Sequence, residues 1–446
     1  MNTKYILKLL IASTIFIVSF AGIKYTGDGY TKNNTNNNRF LQKDSTPPLA
    51  SFLVISDIHL NSSAYQADAH GDTGDSLWIA AKEEINSLIT NKQPRFIIVL
   101  GDLPRHDTST KRDSIKVREN IEQVIKYFKD SAGIPAAIPL VFAAGNNDSW
   151  DGDYSALTLP DSIYKIDVYP FINVDSSSIS GHACVANDSL VRLGCFSIYP
   201  LGSENKLKLI VLNTVIFTKS HSFPYSSDSL QQSVDATTQI NWFLQQMEQA
   251  AQNDEKVLIA MHVPPGLDGY SLKDMWYDKN IEAIFLKTIE KYQNNITGLL
   301  AGHTHMDGIR LLTTENGDVD ALLISVPGVA PGHGNNPSVK LIEYNPDNFV
   351  LQDFNTYYMN YWNLCMNQTS KNCEPRLTTW SDSFNFRSTF HDNDTFSMLQ
   401  HFQQMKSENI EDEIERFVNE IYSDYGKKPN SAEVDSSIYV PIPGNR

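Results

Sequence analysis

The chain has 446 residues, of which 41% are hydrophobic and 20% charged. At roughly 100–200 residues per domain this allows several units or one large domain with insertions, and the composition excludes a disordered chain, a collagen or a small disulfide scaffold. Basic residues number 36 and acidic residues 52, a net charge of −16, which repels phosphate polymers at long range, so no nucleic-acid duplex binding is expected.

The N-terminus opens with Lys4 and Lys8 ahead of an apolar run from Leu9 to Ile23, broken only by Ser13, Thr14 and Ser19. A basic stretch followed by an apolar one reads as a secretory signal over 1–23, with Ser19 and Ala21 supplying small residues before a cut after Ala21. The alternative is an uncleaved anchor, although the run is short of the ~20 apolar residues a spanning helix needs. The protein is therefore expected to be secreted or periplasmic, or else membrane-anchored, with membrane contact only through this segment. Residues 24–48 form an Asn-rich linker that ends at Pro47-Pro48 and cannot bury enough surface to fold.

From residue 49 onward, short apolar runs read as buried strands at 52–55, 96–100, 139–143, 207–212, 257–260 and 298–301. Helical spacing lies between several of them. Trp78, Ala81, Ile85, Leu88 and Ile89 form one face, and Val117, Ile121, Val124, Ile125 and Phe128 a second. Ile240, Phe243, Leu244 and Met247 form a third, and Ile281, Ile284, Phe285 and Ile289 a fourth. Strands alternating with helices predict a layered α/β domain over 49–360. Residues 315–360 read as strand-rich, and 361–446 as a mostly helical C-terminal extension, with helical spacing over 396–423. The cysteines fall in two close pairs, Cys184 with Cys195 and Cys365 with Cys373, which suit local disulfides in an exported protein.

Chemistry-bearing residues follow the strands. Asp57 and His59 come after the first, Gly101-Asp102 after the second and Gly145-Asn146-Asn147-Asp148 after the third. His262-Val263-Pro264-Pro265 and Gly302-His303-Thr304-His305 follow the last two. Functional groups gather at the carboxyl edge of an open α/β sheet, so the fold can bring these together. Asp57, His59, Asp102, Asn146, His262, His303 and His305 make seven candidate ligands. That is too many for one tetrahedral zinc and fits two divalent ions sharing a carboxylate. Zinc suits the histidines, and manganese or iron fits the same ligands. The glycines before Asp102, Asn146 and His303 are expected to let the backbone turn out of each strand.

These motifs, D-x-H, G-D, G-N-N-D, H-V-P-P-G and G-H-T-H, resemble those of the calcineurin-like metallophosphoesterases. Gly101-Asp102-Leu103-Pro104-Arg105-His106-Asp107 and Asn335-Asn336-Pro337 are similar to the branch containing acid sphingomyelinase-like phosphodiesterases and endopolyphosphatases. The likeness covers about 50 to 360. It implies a four-layer α/β/β/α sandwich with the C-terminal helical extension. It implies that Asp57, His59 and His305 hold one metal, that Asn146, His262 and His303 hold the other, and that Asp102 bridges them. It further implies catalytic roles for His106 near the leaving group, for Asn147, and for Asp148 as a support of the site. The implied reaction is hydrolysis of a phosphodiester or phosphoanhydride by a metal-bridging hydroxide. The implied substrate is a small phosphate ester, a phospholipid or polyphosphate.

One position departs from the family pattern. Where the family usually has histidine, this chain has Asn147, which donates a hydrogen bond but transfers no proton near neutral pH. That shifts weight to His106. Alternatives on the same scaffold are a phosphomonoesterase and a non-catalytic binding protein. A purple acid type is disfavoured because Arg105 stands where that family has an iron-binding tyrosine.

Overall fold

The computed structural model describes residues 48–64, 71–106, 113–131, 133–149, 153–155, 171–172, 174, 179–181, 193–219, 229–267, 275–314, 318–332, 335–361, 380, 382–390, 397–407 and 439–441. Two mixed β-sheets organise them. The first runs Asp382–Asn385, Leu351–Tyr358, Ser338–Tyr344, Ala50–Ile55, Ile97–Val99, Leu140–Phe142 and Phe171–Ile172. The second runs Tyr439–Pro441, Gly308–Thr313, Val319–Ser325, Ile296–Ala301, Lys256–Met261, Leu207–Leu212, Phe196–Ile198 and Ile179–Gly181.

Each sheet has a parallel centre. In the first, Leu53 pairs with Ile97 and Ile97 with Leu140. In the second, Ala260 pairs with both Val211 and Leu300, and Leu299 pairs with Leu323. Antiparallel neighbours flank both centres. Parallel strands are covered on both faces, which is why their sequences are continuous apolar runs rather than alternating ones.

Side-chain alternation then sorts the core. Leu53, Ile55, Ile97 and Val99 pack with Leu77, Trp78, Ile85, Val117 and Ile121, which lie on the helices Asp75–Lys92 and Ser114–Lys126. Phe52, Val54 and Ile98 belong instead to the cluster that includes Leu209, Val211 and Ile259 of the second sheet. That cluster continues to Phe243 on Ser229–Gln252 and Phe285 on Lys279–Lys291, whose rings stack at 5.4 Å. Asp113 and Asp278 start two of these helices by accepting backbone N–H bonds from Lys116 and from Asn280 and Ile281. Such caps satisfy donors that a helix cannot satisfy itself.

The strands expected from apolar runs are present, with ends shifted by a residue or two. Gly308–Thr313 and Phe196–Ile198 are further strands that the runs did not mark, and Leu351–Tyr358 lies in the stretch read only as strand-rich; each sits one strand in from a sheet edge. Of the expected C-terminal extension, the described residues contain a strand in each sheet, Asp382–Asn385 and Tyr439–Pro441, and the helices Phe386–Phe390 and Met398–Ser407. Residues 408–438 lie outside the described residues, as do 1–47.

Candidate metal centre

All seven candidate ligands sit just past the carboxyl ends of five parallel strands, three from the first sheet and two from the second. Backbone bonds lock neighbouring loops together. Asp57 N donates to Gly101 O at 3.1 Å, His59 N to Asp102 O at 2.9 Å, and Gly302 N to His262 O at 3.0 Å. Two further bonds join the sheets. His303 N donates to the Asp57 carboxylate at 3.0 Å, and His262 Nδ1 donates to Leu100 O at 2.6 Å.

The turns are made by the candidate ligands themselves. Asp57, His59, Asp102, His303 and His305 have φ of 47°, 43°, 54°, 71° and 58°. This left-handed backbone is costly for residues with a β-carbon, at about 1–3 kcal/mol each, and such strain clusters at functional sites. The expectation about the glycines needs correction. Only Gly101, at φ 94°, turns as expected. At Gly145 a β-carbon would collide with the Asp102 carboxylate, and at Gly302 with the Ser56 hydroxyl. Those two are glycines because the ligand loops approach too closely for any side chain.

The acceptor atoms converge in a way that protein groups alone do not satisfy. His59 Nδ1 faces Pro104 O at 3.1 Å, so its Nε2 carries the lone pair. That buried Nε2 has no hydrogen-bond partner and points at Asp102 Oδ2, 3.4 Å away, and Asp57 Oδ1, 3.8 Å away. His262 spends its Nδ1 proton on Leu100, and its Nε2 lies 3.3 Å from Asp102 Oδ2. Asn146 donates its amide to Asp153 at 2.7 Å, which turns Oδ1 onto His262 Nε2 at 3.0 Å. Imidazole lone pairs packed against carboxylates call for a shared proton or a cation between them. His305 Nε2 adds to the first group, 3.6 Å from Asp57 Oδ1, and His303 to the second, beside Asp102 and His262. Imidazole, amide and carboxylate donors in two adjacent groups fit a pair of divalent ions.

The same crowding governs protonation. Burial opposes charge on His59 and His262, yet the Asp57 and Asp102 carboxylates raise both to about 9. Burial and the charge of His262 push His303 down to about 3. For Asp57 and Asp102 burial favours the protonated form, but the surrounding histidines win and hold both below the usual carboxylate range. Burial and the neighbouring Asp102 lift Asp148 to about 6.

The remaining sequence candidates fall around this centre. Asn147 spends its backbone N–H and its amide on the two oxygens of Asp102, at 2.7 and 2.9 Å. Asp148 is buried and accepts from the backbone of Asp102, Leu103 and Gly145, so it holds the Asp102 turn. His106 stacks on His59 at 3.8 Å between ring centres. Sequence reasoning missed Asp153, which orients Asn146, and Tyr154, whose hydroxyl meets His303 Nε2 at 3.1 Å. It also missed Trp276, whose ring packs edge-on against His303 at 4.4 Å. No spacing marks these residues, because the contacts exist only once the loops are folded. Of the four cysteines, Cys184, Cys365 and Cys373 lie outside the described residues, and Cys195 is buried.

A two-sheet α/β fold with buried imidazoles and carboxylates at its strand ends is that of a metal-dependent phosphoesterase. The calcineurin-like phosphoesterase model matches residues 50–307, more than half of the chain, and the chain belongs to that family. It is distantly similar to acid sphingomyelinase-like phosphodiesterases. Cyclic GMP-AMP phosphodiesterase SMPDL3A of Rattus norvegicus is 25% identical over 350 residues, which cover 70% of this chain and 72% of that protein. Acid sphingomyelinase-like phosphodiesterase 3b of Homo sapiens is 24% identical over 304 residues, covering 64% and 61%. A dimetal phosphatase structure from Danio rerio aligns at a TM-score of 0.46 with 12% identity, covering 76% of this chain and 98% of its own.

Proposed function

We propose that the chain is an exported, dinuclear-metal phosphoesterase that hydrolyses phosphodiester or phosphoanhydride bonds, with diesters favoured. The observation that carries this reading is the position of Asp102 Oδ2, 3.4 Å from His59 Nε2 and 3.3 Å from His262 Nε2. One carboxylate oxygen between two imidazole lone pairs suits a bridge between two ions. Asp57, His59 and His305 would hold one, and Asn146, His262 and His303 the other. The donor set favours zinc, with manganese or iron as competitors. Bound there, the ions would supply an acidified water and would draw charge from the phosphoryl oxygens.

The chain's own residues do the rest. Asn147 and Asp148 fix Asp102 and its turn. The ligands are almost wholly buried, so bulk water does not compete for them. His106, partly exposed beside His59, gives its proton to the departing oxygen as the phosphorus–oxygen bond breaks. The diester preference draws support from relatives named as phosphodiesterases, and the export reading from Lys4, Lys8 and the apolar run to Ile23. The test is bis-nitrophenyl phosphate hydrolysis by the full chain loaded with zinc or manganese. Turnover that falls to background in Asp102→Asn is the expected result. No turnover from folded, metal-loaded protein would contradict the diesterase reading.

A further inference from the structure

Asp72 lies immediately before the short strand Thr73–Gly74. Its side chain is fully buried, and it clasps one residue twice. One oxygen meets His106 Nδ1 at 2.6 Å, and the other accepts from His106 N at 3.1 Å. The clasp is built on the metal loops. Leu60 and Asn61, just past His59, pair with Thr73 and Gly74, just past Asp72. Thr73 N donates to His59 O, Leu60 N to Leu103 O and Arg105 N to Leu60 O, at 3.0, 2.8 and 3.0 Å. Three segments carrying a ligand, a carboxylate and a histidine are thus stitched into one unit. His106 is the most exposed imidazole of the group, at 30%, against 0% for His59 and His262, 2% for His305 and 7% for His303.

We propose that Asp72 is the positioning residue for His106. With Nδ1–H held by Asp72 and the ring stacked on His59, Nε2 is the nitrogen left to give a proton, so the proton reaches the leaving oxygen from a fixed atom. A hydrogen-bonded carboxylate sets both the tautomer and the ring orientation of its histidine. This rests on the reading of His106 as proton donor. In the step, the water oxygen bonds to phosphorus and releases its proton to solvent, the bond to the leaving oxygen breaks, and that oxygen takes the Nε2 proton. His106 recovers a proton from solvent.

The test uses metal-loaded full-length protein and phenyl phosphodiesters whose leaving groups run from nitrophenol to unsubstituted phenol. His106→Ala should slow the phenol ester by about 100-fold or more, the usual worth of a general acid, and the nitrophenol ester far less. Asp72→Ala should show the same selectivity, and the double variant should be no slower than His106→Ala alone. Asp72→Asn, which keeps the volume and an acceptor for Nδ1–H, should recover part of the loss and serves if the alanine variant does not fold. Equal slowing of both esters by Asp72→Ala and Asp72→Asn, with losses that multiply in the double variant, would overturn the proposal while leaving the acid role of His106 intact. Equal slowing by His106→Ala would remove the acid role itself. Loss of a metal equivalent from His106→Ala would make His106 a ligand, a role its closeness to His59 and His305 also permits, and would overturn the proposal.

Discussion

At the scale of single residues the centre is a set of strained turns and of imidazoles and carboxylates that compete for shared protons or a metal. Gly145 shows how little room is left, since a β-carbon there would strike Asp102. Gly145→Ala should lower kcat/KM on bis-nitrophenyl phosphate by about 100-fold, the cost of a displacement near 1 Å in an active site. Unchanged kinetics would mean that Asp102 is not held by that contact. Protonation gives a second check. The raised pKa values of His59 and His262 mean that the chelated protein binds protons more tightly folded than unfolded. That stabilisation is complete below the ordinary 6.5 and is lost as pH rises through about 9. Thermal melts of chelated protein should therefore fall between pH 6.5 and 9, while metal-loaded protein should hold steady. Identical profiles would contradict the account. The convergence of the seven candidate positions was legible in the sequence because each follows closely on an apolar strand. Asp72, Asp153 and Tyr154 were not, because a carboxylate or phenol that orients a ligand has no spacing rule of its own.

At the scale of elements, one buried network pins the His303–His305 loop to the first sheet. Lys340, on Ser338–Tyr344, is fully buried and donates to Asp307 and to Thr356, both at 2.7 Å. Thr356 in turn donates to the second oxygen of Asp307, and the ammonium lies 3.6 Å from the Phe354 ring centre. Burial lowers the Lys340 pKa despite the Asp307 charge. Removing one partner of a buried pair strands the other, at a cost of about 3–5 kcal/mol. Lys340→Met should lower the denaturant midpoint accordingly, and adding Asp307→Leu should restore most of it. A Lys340→Met protein as stable as the parent would show that the pair carries no weight. The parallel strands were readable because both of their faces are apolar. Leu351–Tyr358 was harder to see, since its Gln352, Asn355 and Tyr357 are only half-buried and break the apolar run.

At the scale of the molecule, two sheets contribute ligands to one centre, with residues as far apart as Asp57 and His303 in direct contact. The alternation of strands and helices revealed the layered class. The pairing of Ala50–Ile55 with Ser338–Tyr344, nearly three hundred residues later, was not legible, because long-range pairing leaves no local trace. The account therefore stands on whether one folded chain holds two ions through Asp102. The most direct measurement is the metal content of the purified full-length protein by elemental analysis, alongside Asp102→Ala. Two equivalents per chain, with at least one lost in the variant, is the expected result. One equivalent or none in a folded parent chain, or full retention in Asp102→Ala, would contradict it.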